Sequence, residues 1–154
     1  GVFVPFGQSA EWDKNGPFRG VAPYFAELFT LDVNPTVAYR VNDKFSIAAG
    51  VNIIMSEIQS KQLLVDPANP AAPALNARAE GDGDALGWNL GAAFEPAAGH
   101  KVALAYRSGF EVEYDGDTAI SPSVPPFLAR SGFSSEIEFP HIVSAGYGME
   151  VAEG

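Results

Sequence analysis

The chain has 154 residues, 47% of them hydrophobic and 18% charged, with a formal net charge of −10 and no cysteine. That balance excludes a polar disordered chain, and the missing basic footprint excludes a nucleic-acid-binding surface. Without thiols this sequence has no disulfide, thiolate metal site or cysteine nucleophile. No run approaches 18 apolar residues, so no transmembrane helix is expected; a membrane barrel stays open, because its strands alternate and score low in hydropathy windows.

The opening Gly1-Val2-Phe3, with no initiator Met, fits a mature protein or a piece of a longer one. Gly1 to Gly7 reads as the end of a strand, with Pro5 marking an edge, kink or bulge because it removes a ladder donor. Residues 8–23 are turn-rich and read as a loop. A strand follows from about Tyr24 to Val41, with Leu31, Val33, Pro35, Val37, Tyr39 and Val41 on one face. Residues 41–44 hold a tight Asn42-Asp43 turn. The next strand, Lys44 to Ile58, sets Phe45, Ile47, Val51, Ile53 and Met55 against Ser46, Asn52 and Ser56.

Residues 59–81 break the pattern, with a short helical piece expected over Glu57 to Val65 and then an Ala/Pro tract. Alternation resumes from Asp84 to Glu95, with Leu86, Trp88, Leu90 and Phe94 on one face. A turn at 96–100 leads into the longest alternation, Lys101 to Tyr114, where Val102, Leu104, Tyr106, Phe110, Val112 and Tyr114 share the even positions. Residues 115–132 are a second long loop. The last strand, about Ser134 to Val151, puts Ile137, Phe139, His141, Val143 and Tyr147 on one face.

About six strands thus alternate long and short connections, the asymmetry of an outer-membrane barrel: short periplasmic turns at 41–44 and 96–100, longer extracellular loops at 8–23, 59–81 and 115–132. The fold class expected is all-β, a single segment of an antiparallel transmembrane β-barrel over residues 1–154. The opposite face carries Arg40, Asn52, Asn89, Arg107, Glu111, Glu113, Glu136 and Glu138. So many charges would be costly in a dry core and are solvated in a wet lumen. Tyr39, Phe45, Phe94, Tyr114 and Phe139 fall near strand ends, where aromatic girdles sit.

Five segments in order resemble the FadL/TodX family of outer-membrane hydrophobic-compound channels. They are D-V-N-P-T-V-A-Y-R-V-N-D (Asp32 to Asp43), S-I-A-A-G-V-N (Ser46 to Asn52), G-W-N-L-G (Gly87 to Gly91), L-A-Y-R-S (Leu104 to Ser108) with Y-D-G at Tyr114, and F-P-H-I-V (Phe139 to Val143). Their spacing is similar to that family's third to eighth strands. The resemblance implies a fourteen-stranded barrel, within the even-numbered range of such barrels, with an N-terminal hatch. It also implies the outer membrane of a Gram-negative bacterium, with the hatch and the remaining strands outside this chain. Hydrophobic ligand would be captured by a groove in long loops and released sideways into membrane lipid at a kink of the third strand.

Carried over by residue, Pro5 would mark the lateral-opening kink, and Leu63, Leu64, Val65, Leu75, Phe127 and Leu128 would line the loop groove. One departure bears on substrate: fatty-acid-binding members carry basic residues near the end of the fifth strand, whereas this chain reads Met55-Ser56-Glu57-Ile58. Lys61 and Arg107 are the candidate carboxylate contacts, and Glu57 favours neutral hydrocarbons.

No enzyme is expected. His141 and Ser144 sit on opposite faces of one strand and cannot form a nucleophile–base pair. Asp82-Gly83-Asp84 lacks EF-hand spacing, and Gly81 and Gly83 lead into no Gly-Lys-Ser/Thr. No metal or cofactor is implied. The function expected is passive uptake of long-chain fatty acids or other hydrophobic compounds. The alternation alone would also serve a polar-solute porin with charged rings, or a soluble β-barrel lipid carrier with its apolar face inward.

Overall fold

The computed structural model describes residues 1–69, 72–122 and 130–150. Every regular element among them is a strand: β1 (Val2–Glu11), β2 (Phe25–Val33), β3 (Thr36–Asn42), β4 (Phe45–Leu64), β5 (Leu75–Ala97), β6 (His100–Arg107), β7 (Phe110–Ser121), β8 (Arg130–Phe139) and β9 (Ile142–Met149). All pairings are antiparallel. β2 and β3 lie end to end along β4, β6 and β7 lie end to end along β5, and β8 and β9 follow them in the same way. The nine strands therefore make six long runs in a meander, joined at one end by tight turns at 43–44 and 98–99.

The connections at the other end are shorter than the sequence suggests. β1 runs on to Glu11, β4 continues through Leu64, β5 begins at Leu75 and β7 reaches Ser121. The helical piece expected over Glu57 to Val65 is strand, because β4 and β5 pair without a break from Phe45↔Phe94 to Leu64↔Leu75. Ladder pairing over twenty residues outweighs the weak local helix signal.

The interruptions fall on one line across the sheet. Asn34–Pro35 separates β2 from β3, Ser108–Gly109 separates β6 from β7, and Pro140–His141 separates β8 from β9. At Asn34–Pro35 the register on β4 is kept, so the same face continues. At Ser108–Gly109 it is not: β5 pairs Asn89 with Arg107 but Asp82 with Asp115, one residue out of step. An extra residue in one strand of a pair bends it and reverses which side chains face inward. β1 has a similar shift between Phe3 and Phe6, at Val4–Pro5. The expected irregularity at Pro5 is therefore present.

These shifts correct the expected faces. Phe110, Val112 and Tyr114 are buried on the inner face, while Glu111 and Glu113 are exposed on the outer one. β8 follows the register of β7, so Ile137 and Phe139 turn inward and Glu136 and Glu138 outward. Tyr114 and Phe139 consequently belong to no girdle. Of the polar residues expected inside, Asn52 is buried, Asn89 and Arg107 are half-buried, and Arg40 is exposed on the lower inner face.

The inner face is concave. Phe6 on β1 lies 4.8 Å from the ring of Phe139 on β8, although β2, β4, β5 and β7 intervene along the sheet. A flat sheet would hold such strands about 24 Å apart at about 4.8 Å per step. The sheet is curled into a half-barrel.

Candidate functional site

Strand curl and parity together make two inner zones. Towards the long-loop end, Ile54, Phe110, Val112, Tyr114 and Phe139 form a buried cluster, with Phe6, Leu28 and Ile58 against it. The Phe110 and Phe139 rings stack 4.7 Å apart. Tyr114, fully buried, reaches across β5 so that its hydroxyl lies 2.8 Å from Ser56 Oγ, which in turn meets Thr30 Oγ1 at 2.9 Å. Gly83 permits the close approach of β7 to β5, since a Cβ there would collide with the Glu113 carbonyl and the Val112 side chain.

Immediately below sits a polar layer. Asn52 Nδ2 donates to Asp32 Oδ2 at 2.7 Å, Asn89 Nδ2 donates to Asn52 Oδ1 at 2.8 Å, and Arg107 Nη1 stands 3.5 Å from Asp32 Oδ2. The Arg107 guanidinium also lies 4.9 Å from the Phe3 ring. One side chain thus reaches from β6 over the concave face towards β1.

The outer face divides at a comparable height. On β4 the outward series from Phe45 to Met55 is apolar, about the 9–11 residues that a tilted strand needs to cross a bilayer. Beyond it come Glu57, Gln59 and Lys61. On β5 the outward Phe94, Leu90, Trp88 and Leu86 give way to Asp84, Asp82, Glu80 and Arg78. On β6 and β9 the apolar stretch ends at Tyr106 and Val143, after which β7 and β8 turn carboxylates outward. Phe45, Phe94, Val102 and Tyr147 make one row near the tight turns. Trp88 and Tyr106, ring centroids 4.9 Å apart, mark the other margin.

Beyond the charged zone, the connection at 12–24 folds over Leu63 and encloses a cleft of about 450 Å³. Trp12, Pro17, Phe18, Pro23, Tyr24 and Leu63 line it, and Lys14 and Arg19 are also part of its wall. A backbone bond from Tyr24 N–H to the Lys61 carbonyl (2.9 Å) and one from Trp12 N–H to the Tyr24 carbonyl (2.8 Å) hold the loop in place.

The structure divides the candidates read from the sequence. Leu63 is buried in the cleft wall, and Val65 lies against Gly20 of the same loop. Leu64 pairs with Leu75 on the opposite side of the ladder, because neighbouring residues of a strand face opposite ways. Phe127 and Leu128 lie outside the described residues. Lys61 is on the outer face, its ammonium 4.4 Å from the Phe25 ring, and Arg107 faces Asp32, so the two cations are not neighbours. The sequence reading missed Trp12 and Phe18, having passed over residues 8–23 as a polar loop. Their signal was available: two large aromatics stand in an otherwise polar connection, and both keep more than half of their surface exposed.

A curled antiparallel meander with an outward apolar band of bilayer height, aromatic margins and charged ends beyond it is a segment of a transmembrane β-barrel. The model of the family described as "Outer membrane protein transport protein (OMPP1/FadL/TodX)" matches residues 1–147. This chain belongs to that family, whose members are outer-membrane transport channels of Gram-negative bacteria and not enzymes. It is 26% identical over 148 residues to a long-chain fatty acid transport protein of Escherichia coli O6:H1, covering 82% of this chain and 33% of that one. It is 25% identical to outer membrane protein P1 of Haemophilus influenzae, covering 86% of this chain and 38% of that one. The chain therefore spans roughly a third of the length of these relatives. The fold is similar to that of a Pseudomonas aeruginosa FadL homologue, with TM-score 0.80 and 18% identity over 99% of this chain and 41% of that one. It is also similar to the Ralstonia pickettii toluene transporter TbuX, with TM-score 0.69 and 15% identity over 99% of this chain and 46% of that one.

Proposed function

We propose that the protein carrying this chain takes up hydrophobic compounds passively, long-chain fatty acids or aromatic hydrocarbons, with first capture in the cleft formed by residues 12–24 and Leu63. The observation that carries this reading is the cleft itself: about 450 Å³ of mostly apolar wall placed beyond the charged zone, at the loop end of the strands. In this reading the loop end faces the exterior and the tight turns face the periplasm, as in barrels of this type. The apolar inner cluster offers a second station. The shift at Val4–Pro5, on a strand whose other edge is unpaired among the described residues, offers a place to leave sideways into lipid. Lys14 and Arg19 would suit a carboxylated ligand, whereas Glu57 does not approach the cleft.

The test is uptake of labelled oleate and of toluene into liposomes holding the whole protein. Burying an aromatic side chain against an apolar ligand is worth about 1.5–3 kcal/mol, so Trp12→Ala with Phe18→Ala should lower initial uptake of the carried compound about tenfold or more. No uptake of either compound, with ready passage of small sugars, would replace this reading by a polar-solute porin.

A further inference from the structure

We propose that His141 is a positioning residue: its imidazole holds the register shift at Ser108–Gly109, and with it the inward facing of Phe110 and Phe139, and releases that shift on taking up a proton. This rests on the reading of the protein as an importer of hydrophobic compounds, with the inner cluster as a station on the way. Three observations carry it. The Gly109 N–H donates to His141 Nδ1 at 2.9 Å, so a side chain takes this donor at a residue that belongs to neither β6 nor β7. The Tyr106 hydroxyl lies 2.7 Å from the same nitrogen, and the two rings stack with centroids 5.9 Å apart. Gly109 leaves no slack: a Cβ there would stand 2.8 Å from the Phe139 carbonyl and 3.3 Å from the imidazole. On either side the backbone pairs in the ordinary way, with the Ser108 N–H on the Trp88 carbonyl at 2.9 Å and Phe110 opposite Phe139. The imidazole therefore stands at the step where the sheet changes register.

The tautomer follows from the partners. A backbone N–H can only donate, so Nδ1 accepts and the ring proton sits on Nε2. With no proton on Nδ1, the Tyr106 hydroxyl donates to that nitrogen as well. Protonation places an N–H on Nδ1 facing two donors, so both bonds are lost and the Gly109 N–H is left without its acceptor. Imidazole is the side chain that ordinarily makes this change between about pH 5 and 8. His141 is exposed at the loop-end margin that Trp88 and Tyr106 mark, so a proton from outside reaches it. The titratable and charged groups on its side of the sheet are few. β6 presents Tyr106, β7 presents Glu111 and β8 presents Glu138, the two carboxylates lying opposite one another on the outer face. β9 presents Val143 and β5 presents Trp88, neither of them charged, and Arg107 faces Asp32 on the inner side. What the shift holds in place is close by: Phe110 follows Gly109 directly, and its ring stacks 4.7 Å from that of Phe139, two residues before His141.

The experiment uses the whole protein in lipid vesicles at pH about 8 and about 5.5. His141→Asn keeps a side-chain acceptor of similar reach that does not titrate, and His141→Leu has no acceptor at either pH. Amide exchange of the segment holding Gly109, corrected for the intrinsic effect of pH, is read without any ligand. In the parent it should quicken about threefold or more at the lower pH, stay slow at both in His141→Asn and be quick at both in His141→Leu. Initial uptake of toluene, which carries no titratable group, should fall about twofold or more over the same step in the parent and not in His141→Asn. Glu111 is present in every form, so its own titration is common to all of them. Heat-modifiable migration on gels checks folding, and if His141→Leu fails that check the parent and His141→Asn still decide. Equal pH dependence of exchange in the parent and in His141→Asn would overturn the proposal. The expected exchange pattern with toluene uptake that ignores pH would overturn the link from His141 to the inner station. The expected exchange pattern without toluene or oleate uptake by any form would keep the hold on Gly109 and overturn the import reading.

Discussion

At the scale of single residues, the inner face is held by hydroxyls and amides rather than by a continuous apolar core. Ser56 is the hinge of one such group: its Oγ is within hydrogen-bond distance of the Phe29 carbonyl (3.0 Å), Thr30 Oγ1 and the Tyr114 hydroxyl. Tyr114 has no exposed surface, so its hydroxyl can exchange Ser56 for neither water nor a neighbouring strand. Replacing Ser56 with alanine removes the partner and leaves that hydroxyl buried. A buried polar group without a partner costs about 1–3 kcal/mol, and Ser56→Ala should destabilise the folded barrel by that amount. Urea unfolding of the whole protein in lipid vesicles measures it. Tyr114→Phe together with Ser56→Ala should cost less than the two singles added, since the first removes the hydroxyl that the second leaves without a partner. Additive losses would show that the pair does not bond.

Elements obey a different rule, in which one residue more or less decides which face of a strand meets the ligand. The alternation of Val102, Leu104, Tyr106, Phe110, Val112 and Tyr114 is unbroken in the sequence, and the extended run was legible from it. What the sequence did not show is that Ser108–Gly109 adds a step, so that Val102 and Tyr106 face outward while Phe110 and Tyr114 face inward. Period-2 patterns fix faces only relative to their neighbours within one unbroken ladder. Gly109 and Pro140, poor strand residues at matching places on adjacent strands, were the available hint. The groove candidates fared unevenly for the same reason. Leu63 and Leu64 are adjacent apolar residues, but only Leu63 reaches the cleft. The shift also sets Glu111 beside Glu136 on the outer side of β7 and β8, beyond the apolar band. There the Glu136 charge, then a side-chain hydrogen bond with Glu136, raises the Glu111 carboxyl above its ordinary range. A carboxyl whose folded pKa is raised contributes stability that is present below its unfolded pKa and is lost as pH rises through the folded value. Glu111→Gln should therefore match the parent's urea midpoint near pH ~4 and exceed it near pH ~7. An equal difference at both pH values would assign the effect to something other than carboxylate repulsion.

For the molecule as a whole, the arrangement of surfaces inverts what water requires. The inner face carries Asp32, Asn52, Ser56 and Thr30 among its most buried residues. The outer band exposes Val37, Tyr39, Leu86, Leu104, Val143 and Tyr147, each with more than half of its surface open. Aliphatic and aromatic groups on this scale, contiguous over several strands, mark a surface meant for lipid. β1 and β9 each pair on one side only among the described residues, which leaves rows of unsatisfied backbone N–H and C=O groups at both margins. A bilayer tolerates apolar side chains but not open strand edges, and water tolerates neither an apolar sheet face nor a long edge free to pair with another copy. Residues 1–154 expressed alone in aqueous buffer should therefore form insoluble material. Within a closed barrel whose further strands meet both edges, the same segment should fold in detergent and migrate differently on gels before and after heating. A monomeric product of residues 1–154 that unfolds cooperatively in water would mean that the apolar series faces inward in solution. The assignment of Phe45 to Met55 as a membrane-crossing stretch would then fall with it.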